Sequence, residues 1–197
     1  MSGTSSNRTD VWVLSGASGF QKITRKVETG HLETSAAQFD FALVEWNADG
    51  TLDLVVIRKN GTGSNSTEVH ILSGASNFQK FILQTGTVLP ETDETFSFGT
   101  GKCGTGCKPD LFAIKKSKIS TNRTEVHVLS GASGSQDYVL QKGTALEETG
   151  AMHDFLVADW NADRCPGLIA VRKSDSTSKS TDGHQPIRNL SCTKKRH

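Results

Sequence analysis

The sequence has no run of about twenty apolar residues, so it offers no segment that could span a bilayer as a helix. Its first ten residues, MSGTSSNRTD, are polar and lack the apolar stretch of a secretory signal. The chain therefore reads either as intracellular or as a mature or partial product. It lacks an excess of either charge: 22 Lys and Arg against 21 Asp and Glu leave a net charge of +1. That argues against a nucleic-acid binder, which carries a strongly basic face. Cysteine is scarce, at Cys103, Cys107, Cys165 and Cys192. Four in a chain of this length do not make a disulfide scaffold, and an even count permits pairing without showing it. Apolar residues are 35% of the total, below the usual share, so any core has to come from short, economical segments. Ser, Thr and Gly fill the gaps, which favours many short strands over a few long helices. Five Asn-x-Ser/Thr sequons, at Asn7, Asn60, Asn65, Asn122 and Asn189, would be glycosylation acceptors in a secreted chain. In so Ser/Thr-rich a sequence several of them arise by chance.

What is abundant is repetition. LSGAS stands at residues 14–18, 72–76 and 129–133, 58 and 57 residues apart. TEVH at 67–70 returns at 124–127, with TDVW at 9–12, and LVVIRK, LFAIKK and LIAVRK end at Lys59, Lys116 and Lys173. Phe41, Phe98 and Phe155 keep the same interval. A fixed period of this size is the signature of a repeat architecture.

Within one unit four apolar segments stand out, at residues 39–46, 52–58, 68–72 and 81–84. Each is four to eight residues long, rich in Val, Ile, Leu and Phe, and bounded by Gly, Asn, Asp or Ser, which predicts strands and turns. The first two, FDFALVEW and LDLVVIR, are apolar on both alternating faces, so both are expected to be covered on both sides. Four antiparallel strands with covered central members describe a propeller blade. A β-helical solenoid is the alternative, with shorter repeats. The expected fold is all-β: a partial β-propeller of about three four-stranded antiparallel blades over residues 1–175, then a degenerate C-terminal remnant over 176–197. Thr181 and His184 lie 57 residues beyond Thr124 and His127, but HQPIRNLSCTKKRH carries no LSG. This tail is either an interrupted repeat or a divergent terminal cap. An unclosed set of blades exposes an apolar face, so a homo-oligomer that completes or covers it is expected.

EWNADGTLDLVVIRK and DWNADRCPGLIAVRK resemble the blades of the FG-GAP/VCBS repeat family, found in integrin-like and fungal lectin-like β-propellers. The LSGAS and TEVH segments resemble its secreted members, and the likeness runs from about Thr9 to Lys173. The resemblance implies a non-catalytic, extracellular module that binds glycans, glycoproteins or other protein ligands, with calcium in the blade loops and catalytic domains often alongside.

The acidic loop offers Glu45, Asn47, Asp49 and Asp53, with Gly50 at the bend. Hard oxygens at alternate positions suit calcium, which takes six to eight of them. The same Asp49-Gly50 pair suits a hairpin turn, and a calcium loop makes that turn too. The third copy keeps Asp159, Asn161 and Asp163 but has Arg164 for the glycine and Gly167 for the closing acid, so a turn is favoured there. The second copy has lost the set. Aligning Asp110 with Asp53 puts Gly104 and Gly106 in place of Asn47 and Asp49, and Cys103 and Cys107, a pair able to tie the loop, in place of Trp46 and Gly50. Gly99, Gly101 and Gly104 form a dinucleotide-type GxGxxG, rejected because that motif needs a following helix and the repeat places a strand there. Trp46 and Trp160 close equivalent strands, where they either pack between blades or stack on a sugar; packing is the commoner fate of Trp. His70 and His127 share a position with Trp12, which suits packing or stacking better than acid–base work. The pairs Arg58-Lys59, Lys115-Lys116 and Arg172-Lys173 form a basic rim or protect strand edges. No unit carries a nucleophile–base set, so no enzyme is expected. Three functions remain: a carbohydrate-binding, lectin-like module with Trp46, Trp160, His70 and His127 as ligand contacts; a protein-binding adhesion or scaffold module; and an accessory repeat fragment of a secreted hydrolase.

Overall fold

Strands form where short β-branched and aromatic runs lie between turn residues. A computed structural model of the chain describes residues 8–32, 37–102, 108–163 and 165–173. The degenerate tail, Cys103, Cys107, Gly104, Gly106, Arg164 and Cys192 lie outside the described residues. Among those described there are twelve strands, two short 3-10 turns and no α-helix, so no helix there is long and apolar enough to cross a membrane. The chain divides into two compact units between Glu91 and Thr92.

The first unit contains β1 (Arg8–Leu14), β2 (Ile23–Leu32), β3 (Phe39–Val44), β4 (Asp53–Arg58), β5 (Ser66–Leu72) and β6 (Phe81–Pro90). β1 and β2 form a hairpin, and β3-β4-β5-β6 form one antiparallel sheet in chain order. The second unit contains β7 (Phe96–Gly101), β8 (Asp110–Lys115), β9 (Arg123–Leu129), β10 (Tyr138–Glu147), β11 (His153–Ala158) and β12 (Gly167–Arg172). Here β7 to β10 make the four-stranded sheet and β11–β12 the hairpin. The fold is all-β with blade-like antiparallel sheets, and no described sheet closes on itself. Twelve strands amount to three blades' worth, distributed as two complete sheets and two halves. By the repeat, β1–β2 hold the places of β5–β6, and β11–β12 those of β3–β4.

The central strands carry the core. Val55, Val56 and Ile57 of β4 and Ala113 and Ile114 of β8 are almost fully buried. Burying one such aliphatic side chain contributes roughly 1.5–3 kcal/mol, set against about 1–2 kcal/mol per residue to order the backbone. Phe39, Leu54, Val56, Leu72 and Phe78 cluster in the first unit, with Val11 of the hairpin packed against them. Phe112, Ile114, Val126, Val128 and Phe155 cluster in the second. One expectation needs correction. β4 is covered on both faces, but β3 alternates, with Phe41 and Leu43 exposed. β3 is an edge strand: Phe39 is buried in the core, while Phe41 and Leu43 on the same face are exposed.

LSGAS is the turn between the two outer strands of a sheet. In the first full copy Leu72 is core, and the Ser73 amide bonds the Lys80 carbonyl at 2.8 Å. The Ser76 hydroxyl donates to the Ser73 carbonyl at 2.9 Å and accepts the Lys80 amide at 3.0 Å. Gly74 is pressed against the neighbouring hairpin loop: a Cβ there would lie 2.1 Å from the Leu52 carbonyl oxygen. At Gly131 the same carbon would lie 1.9 Å from the Pro109 oxygen. No side chain fits at either place.

Gly99 and Gly101 also have a packing role. Added Cβ atoms would meet the Val157 side chain of β11 at 2.8 and 2.9 Å, so these glycines let β11 lie close on β7. The element that follows is strand β8, as the rejection of the dinucleotide motif requires.

Candidate binding site

The acidic loop lies between β3 and β4, and its side chains bond one another. Asn47 Nδ2 donates to Asp49 Oδ2 at 2.9 Å, and the Thr51 amide donates to Asp49 Oδ1 at 2.8 Å. Gly50 takes φ +82°, as the tight turn demands. Hydrogen bonds from the Thr51 hydroxyl, from Asn47 and from the Thr51 amide hold the Asp49 carboxyl below its usual range. Asp53 points inward and is fully buried. Its Oδ2 accepts the Trp46 amide at 3.0 Å and its Oδ1 the Gly74 amide at 2.9 Å. Glu45 is partly buried, and its Oε1 has no hydrogen-bond partner. Asp53 spends both oxygens on backbone amides, and among the described residues no three His, Cys, Asp or Glu side chains gather where they could share a metal.

The third copy makes the same turn. Asn161 donates to Asp163 Oδ2 at 2.9 Å, Asp163 takes the Cys165 amide at 2.8 Å, and Asp159 takes the Asp163 amide at 3.1 Å. Trp46 is 5% exposed and belongs to the core, whereas Trp160 is 62% exposed. The two equivalent Trp residues thus have different surroundings.

The histidines sit in richer company. His127 on β9 faces Gln141 on β10, its registered cross-strand partner, with Nδ1 3.2 Å from Gln141 Nε2. Glu125 Oε2 lies 3.4 Å from His127 Nε2, a contact that becomes an ion pair when the imidazole is protonated. The rings of Tyr138 and Phe96 stand 6.1 and 6.4 Å away, and Lys115 lies over Phe96. Burial leads the causes that push the His127 pKa down, against the opposing pull of Glu125. In the first unit His70 pairs with Gln84, and Glu68 lies 3.5 Å from its Nε2. His31 from β2 fills the remaining side, its Nε2 2.9 Å from His70 Nδ1. Burial first, then His31, lowers the His70 pKa. At the equivalent place on β1, Trp12 pairs with Lys26, whose ammonium lies 4.4 Å from the ring centroid.

One register position therefore recurs three times: a ring on the third strand of the blade pattern (β1, β5 or β9), an acid two residues before it (Asp10, Glu68 or Glu125), and a long polar side chain opposite (Lys26, Gln84 or Gln141). The sequence points to the histidines and Trp12, and the TEVH spacing holds the acids in plain view. Gln141, Tyr138 and His31 escape sequence reasoning, because only strand pairing and hairpin packing bring them close. The arrangement offers a flat aromatic ring, imidazole at two places and indole at the third, with an acceptor and a donor beside it. Comparison with protein-family models, with curated proteins and with solved structures finds no match.

Proposed function

We propose that the chain is a non-catalytic, carbohydrate-binding module with several equivalent weak sites. The observation that carries this reading is the threefold recurrence of ring, acid and cross-strand polar chain at one register position. A sugar offers an apolar face for the ring and hydroxyls for the acid and amide. Several shallow sites on one chain suit a repetitive glycan, because avidity multiplies weak single contacts. The fullest copy surrounds His127, where Glu125, Gln141, Tyr138 and Lys115 supply acceptor, amide, ring and cation. In the first unit His31 occupies the corresponding space, which makes that copy the weaker one. An extracellular setting belongs to the same reading.

The test is a glycan array with the purified chain, followed by competition with free sugar. His127→Ala is expected to weaken capture of the best glycan about tenfold, and Gln141→Ala severalfold, at roughly 0.5–1.5 kcal/mol per lost polar contact. Binding unaffected by both substitutions removes the site. Retention of a protein partner that no sugar displaces turns the reading to an adhesion module.

A further inference from the structure

The two hairpins at the ends of the described fold are complementary halves of a blade. In both complete sheets the strand equivalent to β12 pairs with the strand equivalent to β1. The register is Leu54–Leu72, Val55–Ile71, Val56–His70, Ile57–Val69 and Arg58–Glu68 in one. It is Leu111–Leu129, Phe112–Val128, Ala113–His127, Ile114–Val126 and Lys115–Glu125 in the other. β1 and β12 each have one strand neighbour among the described residues, β2 and β11.

We propose that β12 of one copy of this chain adds to the outer edge of β1 of a second copy, completing an inter-chain blade in the order β11-β12-β1-β2. The register follows from the repeat: Leu168–Leu14, Ile169–Val13, Ala170–Trp12, Val171–Val11 and Arg172–Asp10. The last pair sets a cation opposite an acid, as the strand register does at Arg58–Glu68 and Lys115–Glu125. Strand addition of this kind gains its affinity from main-chain hydrogen bonds.

Three further observations select a second copy as the occupant. The first is burial. Leu14, Val13, Val171 and Trp160 are 46%, 41%, 45% and 62% exposed, whereas Leu72, Ile71, Ile57 and Trp46, their counterparts in a complete blade, are 0%, 0%, 0% and 5% exposed. The half-blades thus present core residues to solvent. The second is Gly16. An added Cβ there would meet nothing nearer than the Phe20 ring at 3.9 Å, while at Gly74 and Gly131 it would strike a loop carbonyl at 2.1 and 1.9 Å. Gly16 keeps the small residue but lacks the loop it would fit, and by the repeat that loop is the one ending at Pro166. The third is space. A groove of about 510 Å3 runs along the β1 edge over Phe41 and Leu54, and a cleft of about 220 Å3 lies beside β12 over Val126 and Leu146. These are the places that the incoming β12 and β1 would fill. One copy holds three blades' worth of strands and closed propellers use about four to eight. Two copies joined through both such contacts supply six, within that range, as a dimer with twofold symmetry. The proposal is independent of what the blades bind.

The experiment is the solution mass of the 197-residue chain by sedimentation equilibrium over a concentration series. The expected species is a dimer, twice the 21.2 kDa of one chain. Gly16→Ala places a methyl group where the other copy's loop must come, and is expected to weaken the dimer about tenfold or more. Its circular dichroism stays that of the wild type, because the single chain has room for the methyl. Arg172→Glu is expected to weaken the dimer, and the added Asp10→Arg to restore it. A chain that is monomeric at every concentration overturns the proposal, as does a dimer indifferent to Gly16→Ala, or one in which Asp10→Arg fails to rescue Arg172→Glu. A monomer that dimerises only after removal of residues 174–197 would place the chain's own tail on β12 and overturn it equally.

Discussion

The carboxylate of Asp53 accepts the backbone amide of Gly74, 21 residues away, at 2.9 Å. Asp110 and Gly131 repeat the bond at 2.8 Å in the second unit. In the first sheet the other oxygen of the same carboxylate holds the Trp46 amide. One buried acid thus joins the β3–β4 loop to the LSGAS turn, and the glycine is there so that the two backbones can approach. In both complete sheets the acid and the glycine stand together.

Asp53→Asn is the sharpest test of that bond. Asparagine keeps one acceptor oxygen but turns an NH2 group toward a backbone N–H, leaving two buried donors face to face. The expected loss is roughly 2–4 kcal/mol of unfolding free energy, since hydrogen bonds to a charged group are worth about 1.5–3 kcal/mol each and an orphaned buried donor adds its desolvation cost. Urea denaturation of wild type and variant measures it. Equal midpoints would mean that the carboxylate does not hold the two loops.

The period, the strand-rich units and the covering of β4 are legible in the sequence, because 57-residue spacing and apolar runs are local signals. Asp53 is harder to read. Asn47-x-Asp49-Gly50-x-x-Asp53 has the same letters whether its last carboxylate turns out to a cation or in to two amides, and only the packing of Gly74 against Leu52 decides. The contrast between Trp46 and Trp160 is invisible for the same reason. The WNAD tetrapeptide is common to both, and what differs in the fold is that Trp46 borders a complete four-stranded sheet and Trp160 a two-stranded hairpin. His31 reaches His70 only because the β1–β2 hairpin packs on its sheet, where the Gly30 amide meets the Phe78 carbonyl at 2.7 Å.

Calcium provides the second test. With Asp49 bonded to Asn47 and Thr51 and Asp53 turned inward, the loop is held by its own side chains. The wild-type melting temperature is therefore expected to be the same in millimolar calcium and in chelator. Asp49→Ala is expected to lower it by the same amount in both, because what is lost is the turn. A loss confined to the calcium sample would show that the loop rearranges around a metal.

The pH dependence of stability isolates the histidines. Burial, the leading cause, depresses the pKa of both His70 and His127 in the folded chain. His31 and Arg58 add to it at His70 and Lys115 at His127, while Glu68 and Glu125 oppose. As pH falls below about 6.5, the ordinary value for histidine, the unfolded chain takes up protons first. The stability contributed by the neutral imidazoles is whole above that value and is lost as pH falls toward their folded pKa. The carboxyls of Asp49, Glu91 and Asp93 are also depressed, each chiefly by hydrogen bonds from the adjacent threonine, Thr51, Thr62 or Thr95. Their share is whole above the ordinary carboxylate range, near pH 4, and drains only below it. A plot of melting temperature against pH should therefore descend in two stages. Replacing both histidines, His70→Gln with His127→Gln, should flatten the upper stage and leave the lower one in place. If the double variant descends through the upper stage as steeply as the wild type, protons are entering elsewhere, and the two imidazoles are not the groups kept neutral by the fold.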